Sequence, residues 1–409
     1  MKKFLALALG ILTAIGGYLD IGDLVSGSLV GARFGYSLVW VVIVGTLGIC
    51  VYAEMAGRIV AMSGRPVFDL VRERLGPRAG LLNLVASFLV TGLTLTAEIG
   101  GMALGVELIT GVNYLLWVPL AALVAWFVIW RIGFETIERV VALLGLALVM
   151  FVVAWFMLRP DWHQAVHDTV HPAVPQQEGR PTWLYYAVAL IGASMSPYEV
   201  FFFSSGGVEE GWTAKSLPEM RANVFIGFPV GAVLFAAIIG VTATVFQPAG
   251  VQVVNLAQTA LPVALAAGKV GLGLLILGIV AATFGAAVET AMSCGYMTAQ
   301  YFGWQWGKSV RPVRAARFHL VVLLTMILGT GAILTTVDPV TVTEYSLVFS
   351  AVALPLTYFP LLVVANDRDY VGDRRNGLLA NTLGVLFLLL LVVVAVAAIP
   401  LMLITKAGL

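Results

Sequence analysis

The sequence predicts an all-α polytopic membrane protein: two five-helix halves of inverted topology, followed by an eleventh helix. Three observations predict it. Hydrophobic residues make up 60% of the chain and charged residues 11%, with a mean hydropathy of +0.98, whereas soluble domains run near half apolar and a quarter charged. Apolar runs matching the roughly 20 residues that cross a hydrocarbon core recur along nearly the whole length. The longest polar connection, "RPDWHQAVHDTVHPAVPQQEGR", divides these runs so that each half opens on an interrupted one.

The first span, about 4–31, follows Lys2 and Lys3 and superficially resembles a signal peptide. No small-residue cleavage site precedes a mature soluble domain, so the span is expected to be retained. Spans at about 36–61, 80–110, 114–130 and 134–158 complete a first repeat covering about 4–158. After an outside loop at 159–181, spans at about 182–205, 221–247, 262–300, 315–337 and 341–365 form the second repeat. The eleventh helix lies at about 377–404, and the whole of 1–405 reads as one transmembrane domain.

Placing the N-terminus inside puts most of the 23 Lys and Arg on that side, among them Arg65, Arg72, Arg139, Lys215, Arg311 and Arg374. Orientation follows this bias, and the odd span count then sends the C-terminus outside. The basic loops are thereby explained as a topology signal, and no nucleic-acid partner or obligate protein partner is expected. Cys50 and Cys294 lie inside apolar segments and read as small core residues rather than a disulfide or metal cluster.

The two interrupted spans carry the chemistry. "GGYLDIGDLVSGSLVG" has Gly22 at midspan, "IGASMSPYEVFFFSSGG" has Pro197, and acidic residues stand beside both. Interrupted segments at matching positions of inverted halves mark a binding site near the membrane midplane, because the freed backbone must line a cavity. A carboxylate at that depth costs at least ~2.5 to 3.5 kcal/mol, and Asp20 and Asp23 are two on one helix face. With Glu199 just past the second break, three acids converge if the breaks face each other. Such a set, without thiolate or imidazole, favours a hard divalent ion. The competing reading makes Asp20 the cap of a half-helix begun at residue 24 and Asp23 a polar wall residue.

The order "YLDIGDLVSGSLVGARFGYSLVW", "AEIGGMALGVELITG" and "LIGASMSPYEVFFFSS" resembles the Nramp family of divalent metal transporters. The resemblance implies a LeuT-type inverted repeat with helices 1 and 6 broken at midmembrane. Family members carry Asp-Pro-Gly-Asn in the first span and Met-Pro-His in the sixth, where Asp, Asn, the thioether and carbonyls bind manganese or iron. Carried onto this chain, the Asp is Asp20, the Asn is Asp23, the carbonyls are Gly17 and Ala193, and the thioether position is Ser196. An amide has become a carboxylate and a soft sulfur a hydroxyl. Met195 is adjacent, but a one-residue offset turns it about 100° around a helix.

These departures resemble the Nramp-related magnesium transporter branch, and magnesium binds through one or two carboxylates while keeping several waters. Manganese also accepts oxygen ligands. The ion is substrate, and no resident cofactor is expected. The family couples transport to protons through an Asp and a Glu on the third span and two histidines after the sixth-span break. Here those positions read Leu95, Glu98, Tyr198 and Phe203, so uncoupled transport is expected, through the plasma membrane of a bacterium.

Other residues keep two readings each. Glu98 faces the cavity or pairs with an arginine. Glu289 in "AAVETAMS" lines the cavity or makes an interhelical hydrogen bond. Glu54 and Arg58, four apart, read as a helix ion pair. His163, His167 and His171 recur every four residues, but Pro160, Pro172 and Pro175 favour an ordinary polar loop over a helical antenna. The Phe201–Phe203 run reads as packing. A proton-coupled manganese or iron carrier and a sodium-coupled carrier of an organic substrate are the alternatives within transport. An intramembrane aspartyl enzyme is disfavoured, because a shared proton needs carboxylates normally drawn from separate spans.

Overall fold

The computed structural model describes residues 19–308 and 310–408. Among them every regular element is helical, and ten segments are long and apolar enough to cross a membrane. The early part of the expected first span, with Gly17, lies outside the described residues. What is described of that span is α1, Ile21–Phe34. Gly27 and Gly31 let α1 close on a later helix: a Cβ on Gly31 would strike the Ile239 carbonyl, and one on Gly27 would stand 3.0 Å from the Phe235 ring. Small residues four apart are the usual means of such an approach in membranes.

The rest of the first half comprises α2 Val39–Ser63, the short α3 Val67–Leu75, α4 Pro77–Thr110, α5 Tyr114–Arg131, and a fifth span of α6 Phe134–Gly145 and α7 Val149–Met157 around a 3-10 turn. The second half follows the short α8, Trp162–Val170. It comprises α9 Arg180–Ser194, α10 Pro197–Glu209, α11 Phe228–Val245, α12 Leu261–Phe302, α13 Ala316–Leu334 and α14 Pro339–Ala365. The final helix is α15, Leu378–Ile404. Helices α12 and α14 pack along α4, α11 packs on α1, α9 on α14, and α10 on α12 and α2. Both breaks are therefore enclosed by long helices.

Three expectations need correction. Among the described residues Leu19 and Asp20 are non-helical and α1 runs from Ile21, so Gly22 sits in the first turn of a helix instead of interrupting one. Gly22 is small for a steric reason: a Cβ there would lie 2.7 Å from Asp20 Oδ1 and 2.9 Å from Leu347 Cδ2. The second break is Met195–Ser196, and Pro197 is the first residue of α10, where a missing amide costs nothing. The 159–181 connection is not irregular throughout. Asp161 caps α8 by accepting from the Gln164 amide at 3.0 Å, Pro160 and Pro172 flank the helix, and the imidazoles of His163, His167 and His171 stack with centroids 6.5 and 4.9 Å apart.

Ion pairs gather at the two ends. At the basic end Arg58 holds Glu54 at 3.1 Å, as the spacing predicts, and Arg221 reaches the same carboxylate at 2.9 Å. Arg65 bridges Asp69 and Glu73 on α3, and its hydrogen bond holds the Glu73 carboxyl below the usual range. At the opposite end Arg33, in the last turn of α1, grips Glu178 with two nitrogens at 2.8 and 2.9 Å. Cys50 and Cys294 are buried free thiols.

Candidate metal site

Helix α1 begins inside the protein, so its first amides need acceptors that water cannot supply. The sequence supplies carboxylates. The Asp23 amide donates to Asp20 Oδ1 at 3.1 Å and the Asp20 amide to Asp23 Oδ2 at 3.2 Å, a reciprocal capping box. The Ile21 amide donates to Glu98 Oε1 of α4 at 3.0 Å. Glu98 thus takes neither an arginine nor open solvent; it ties the third span to the start of α1. Asp20 is the cap, as the competing reading held, although the helix starts at Ile21 and not at residue 24.

The second break frees carbonyls at the end of α9, and these need donors. The Tyr358 hydroxyl donates to the Met195 carbonyl at 3.0 Å and the Ser350 hydroxyl to Gly192 at 3.1 Å. Ser196 turns its hydroxyl back toward Gly192 at 3.2 Å and Ala193 at 3.4 Å, which leaves the Ser196 oxygen with lone pairs to offer. Met195 is fully buried, and its sulfur stands 2.7 Å from where a Gly48 Cβ would lie. The thioether therefore packs against α2.

Tyr198, in the first turn of α10, joins the two breaks: its hydroxyl donates to Asp20 Oδ2 at 3.1 Å, and its own carbonyl accepts from Ser293 of α12 at 3.4 Å. Glu199, next along, lies within electrostatic range of Asp23, Asp20 and Glu289. Glu289 is half-buried, makes no hydrogen bond among the described residues, and lies within electrostatic range of Asp20. That arrangement favours cavity lining over an interhelical bond. Phe203 stands apart, its ring 5.0 Å from Trp212 and 6.3 Å from Phe228, and Phe201 packs on Phe68. The aromatic run is packing.

Asp20 uses both of its oxygens, but Asp23 Oδ1, Glu98 Oε2 and Glu199 Oε2 are buried with no donor. Among the described residues none of these acids forms an ion pair. Three surplus acceptors on three different helices, in an interior where an unmet carboxylate oxygen is costly, form a receptor for positive charge. Among the described residues no three such side chains enclose an ion by themselves, so any cation held here needs water or carbonyl oxygens as well. Tyr358, Ser350 and Ser293 were not singled out from the sequence. The signal was there for the α14 hydroxyls, because Ser346, Ser350 and Thr357 share one face of an otherwise apolar span.

A family model described as natural resistance-associated macrophage protein-like, Nramp, matches residues 10–401. The chain belongs to the Nramp family. A curated relative from Aeromonas hydrophila subsp. hydrophila, named divalent metal cation transporter MntH, is 24% identical, with 96% of this chain and 95% of the relative covered. The crystal structure of the Eremococcus coleocola manganese transporter superposes with a TM-score of 0.75 at 19% identity, covering 95% of this chain and 85% of that one. Mhp1, a nucleobase-cation-symport-1 family transporter, superposes with a TM-score of 0.62 at 15% identity, covering 98% and 91%. The fold is the LeuT-type inverted repeat, and the Nramp chain is an integral membrane protein.

Proposed function

We propose that this Nramp-family chain carries a hard divalent cation, Mg2+ in preference to Mn2+, across the membrane by alternating access and without a coupled proton. One observation carries the reading: the surplus acceptors at the breaks are carboxylate oxygens, while the thioether at the second break, Met195, is turned into the packing against Gly48. Oxygen-only donors suit Mg2+, which keeps part of its water shell. Asp20, Asp23 and Glu199 supply charge, and the Ala193 carbonyl and Ser196 oxygen supply neutral ligands. Gly17 holds the remaining carbonyl position of the motif. Glu98 and Glu289 set the field of the cavity.

The absence of a relay rests on side-chain type. Leu95 cannot titrate, Phe203 is in an aromatic cluster, and Tyr198 offers a phenol whose ordinary pKa is near 10, far from the range where imidazole shuttles protons. Transport is then driven by concentration and by membrane potential, worth about 2.3 kcal/mol per charge per 100 mV. The N-terminus is inside a bacterial plasma membrane and the C-terminus outside, in line with the basic loops. The second reading is a proton-coupled Mn2+ carrier; its ion is the one in the name of the Eremococcus coleocola manganese transporter, and its proton comes from the family resemblance. Uptake into proteoliposomes separates the two: Mg2+ entry with a silent internal pH dye is expected. Mn2+ entry that excludes Mg2+ and acidifies the lumen would overturn the proposal.

A further inference from the structure

At the basic end, the perimeter between α14 and α15 carries a groove of about 630 Å3, walled by Phe359, Leu362, Val385 and Leu388 and closed by Arg74, Asp367 and Arg368. Phe359 and Val385 remain 50% and 46% exposed on membrane-spanning helices, so the wall faces hydrocarbon. The depth of the groove is set by its neighbours. Arg374 and Arg375 are exposed, and Leu378 and Leu379, beyond Asn376 and Gly377, have 87% and 74% exposure. Bare leucines within one helical turn of guanidinium groups place those charges at the headgroup level.

The groove is built into the fold. Asn366 and Asn376 both donate to Asn381 Oδ1, at 2.8 and 3.0 Å, which fixes the start of α15 against the end of α14. The Tyr52 hydroxyl donates to the Gly384 carbonyl at 2.7 Å, and the absence of a side chain at Gly384 admits Leu362. The two helices are therefore held together at that level, and the groove opens beside it. Asp367 neutralises Arg74 by a direct ion pair. Among the described residues Arg368 pairs only with Asp373, at 3.1 Å, with side chains 75% and 93% exposed, and so exposed a pair holds little.

We propose that this groove binds an anionic phospholipid of the leaflet at the basic end, its phosphate on Arg368 and one acyl chain along Phe359, Leu362, Val385 and Leu388. A guanidinium matches a phosphate with two parallel hydrogen bonds and exchanges Asp373 for it at little cost. Basic pockets between membrane helices recognise lipid headgroups through this same combination of charge and apolar wall. The bound lipid bridges α14, whose Ser350 and Tyr358 serve the second break, to the final helix.

Native mass spectrometry of the purified full chain, with phosphatidylglycerol or phosphatidylcholine of matched acyl chains, tests this. The wild type is expected to retain phosphatidylglycerol about five-fold over phosphatidylcholine. Arg368→Gln should abolish that preference while leaving phosphatidylcholine adducts unchanged, and Val385→Trp, which fills the groove without altering charge, should lower both. Inorganic phosphate is expected not to displace the lipid. Equal retention of the two lipids by the wild type, an unchanged preference in Arg368→Gln, or displacement by phosphate alone would overturn the assignment. Melting curves of both variants establish that they are folded when compared.

Discussion

At the first break the exposed backbone groups are amides at the start of α1, and the side chains gathered there are acceptors: Asp20, Asp23 and Glu98. At the second the exposed groups are carbonyls at the end of α9, and the side chains gathered there are donors: Ser196, Ser350 and Tyr358. Each broken end has recruited the polarity it lacks. Capping alone therefore accounts for acids beside α1, at one oxygen apiece. It does not account for the second oxygens of Asp23 and Glu98, or for Oε2 of Glu199, whose carboxylate also meets the Ser196 backbone, and the cation site rests on that remainder.

Substituting Asp23 breaks the comparison most directly. Asp23→Asn keeps an oxygen to accept the Asp20 amide but removes the charge. Mg2+ uptake is expected to fall roughly 100-fold, in line with about 3 kcal/mol for a hydrogen bond or contact to a charged group, with an unchanged melting temperature. If capping were the whole role of Asp23, uptake would match the wild type. Next in size is Ser196→Met, which adds a soft donor at the hydroxyl-rich break. The ratio of Mn2+ to Mg2+ transport should rise about tenfold, equivalent to roughly 1.4 kcal/mol, in a competition assay.

Tyr198 is the link between the two breaks. Tyr198→Phe removes the donor to Asp20 and is expected to raise the apparent KM for Mg2+ about fivefold with the maximal rate retained, which initial-rate uptake measures. The smallest effect belongs to Tyr358→Phe. The Met195 carbonyl loses its donor, so stability should drop by about 1 kcal/mol in a denaturation assay while Mg2+ affinity stays the same. A lost affinity there would place Tyr358 at the ion instead of at the backbone.

The span pattern was legible because about twenty apolar residues admit few other readings, and the helix starts at Ile21 and Pro197 lie within a residue of the expected interruptions, Gly22 and Pro197. Their mechanism was not. The Asp-x-x-Asp spacing of Asp20 and Asp23 is a capping pattern in its own right, yet a charge at midmembrane draws attention to ligation first. The partner of Glu98 lies 77 positions away, and no local periodicity encodes which amide a buried carboxylate will meet. The direction of the Met195 side chain likewise depends on the gap left by Gly48 on α2. At α8 the prolines were read as breakers, whereas they sit just outside a helix that Asp161 caps.

Calorimetric titration of the purified protein with Mg2+ tests the central claim, that surplus carboxylate oxygens rather than sulfur hold the ion. One saturable site is expected, abolished in Asp23→Ala and intact in Met195→Leu. Loss of binding in Met195→Leu with retention in Asp23→Ala would contradict it.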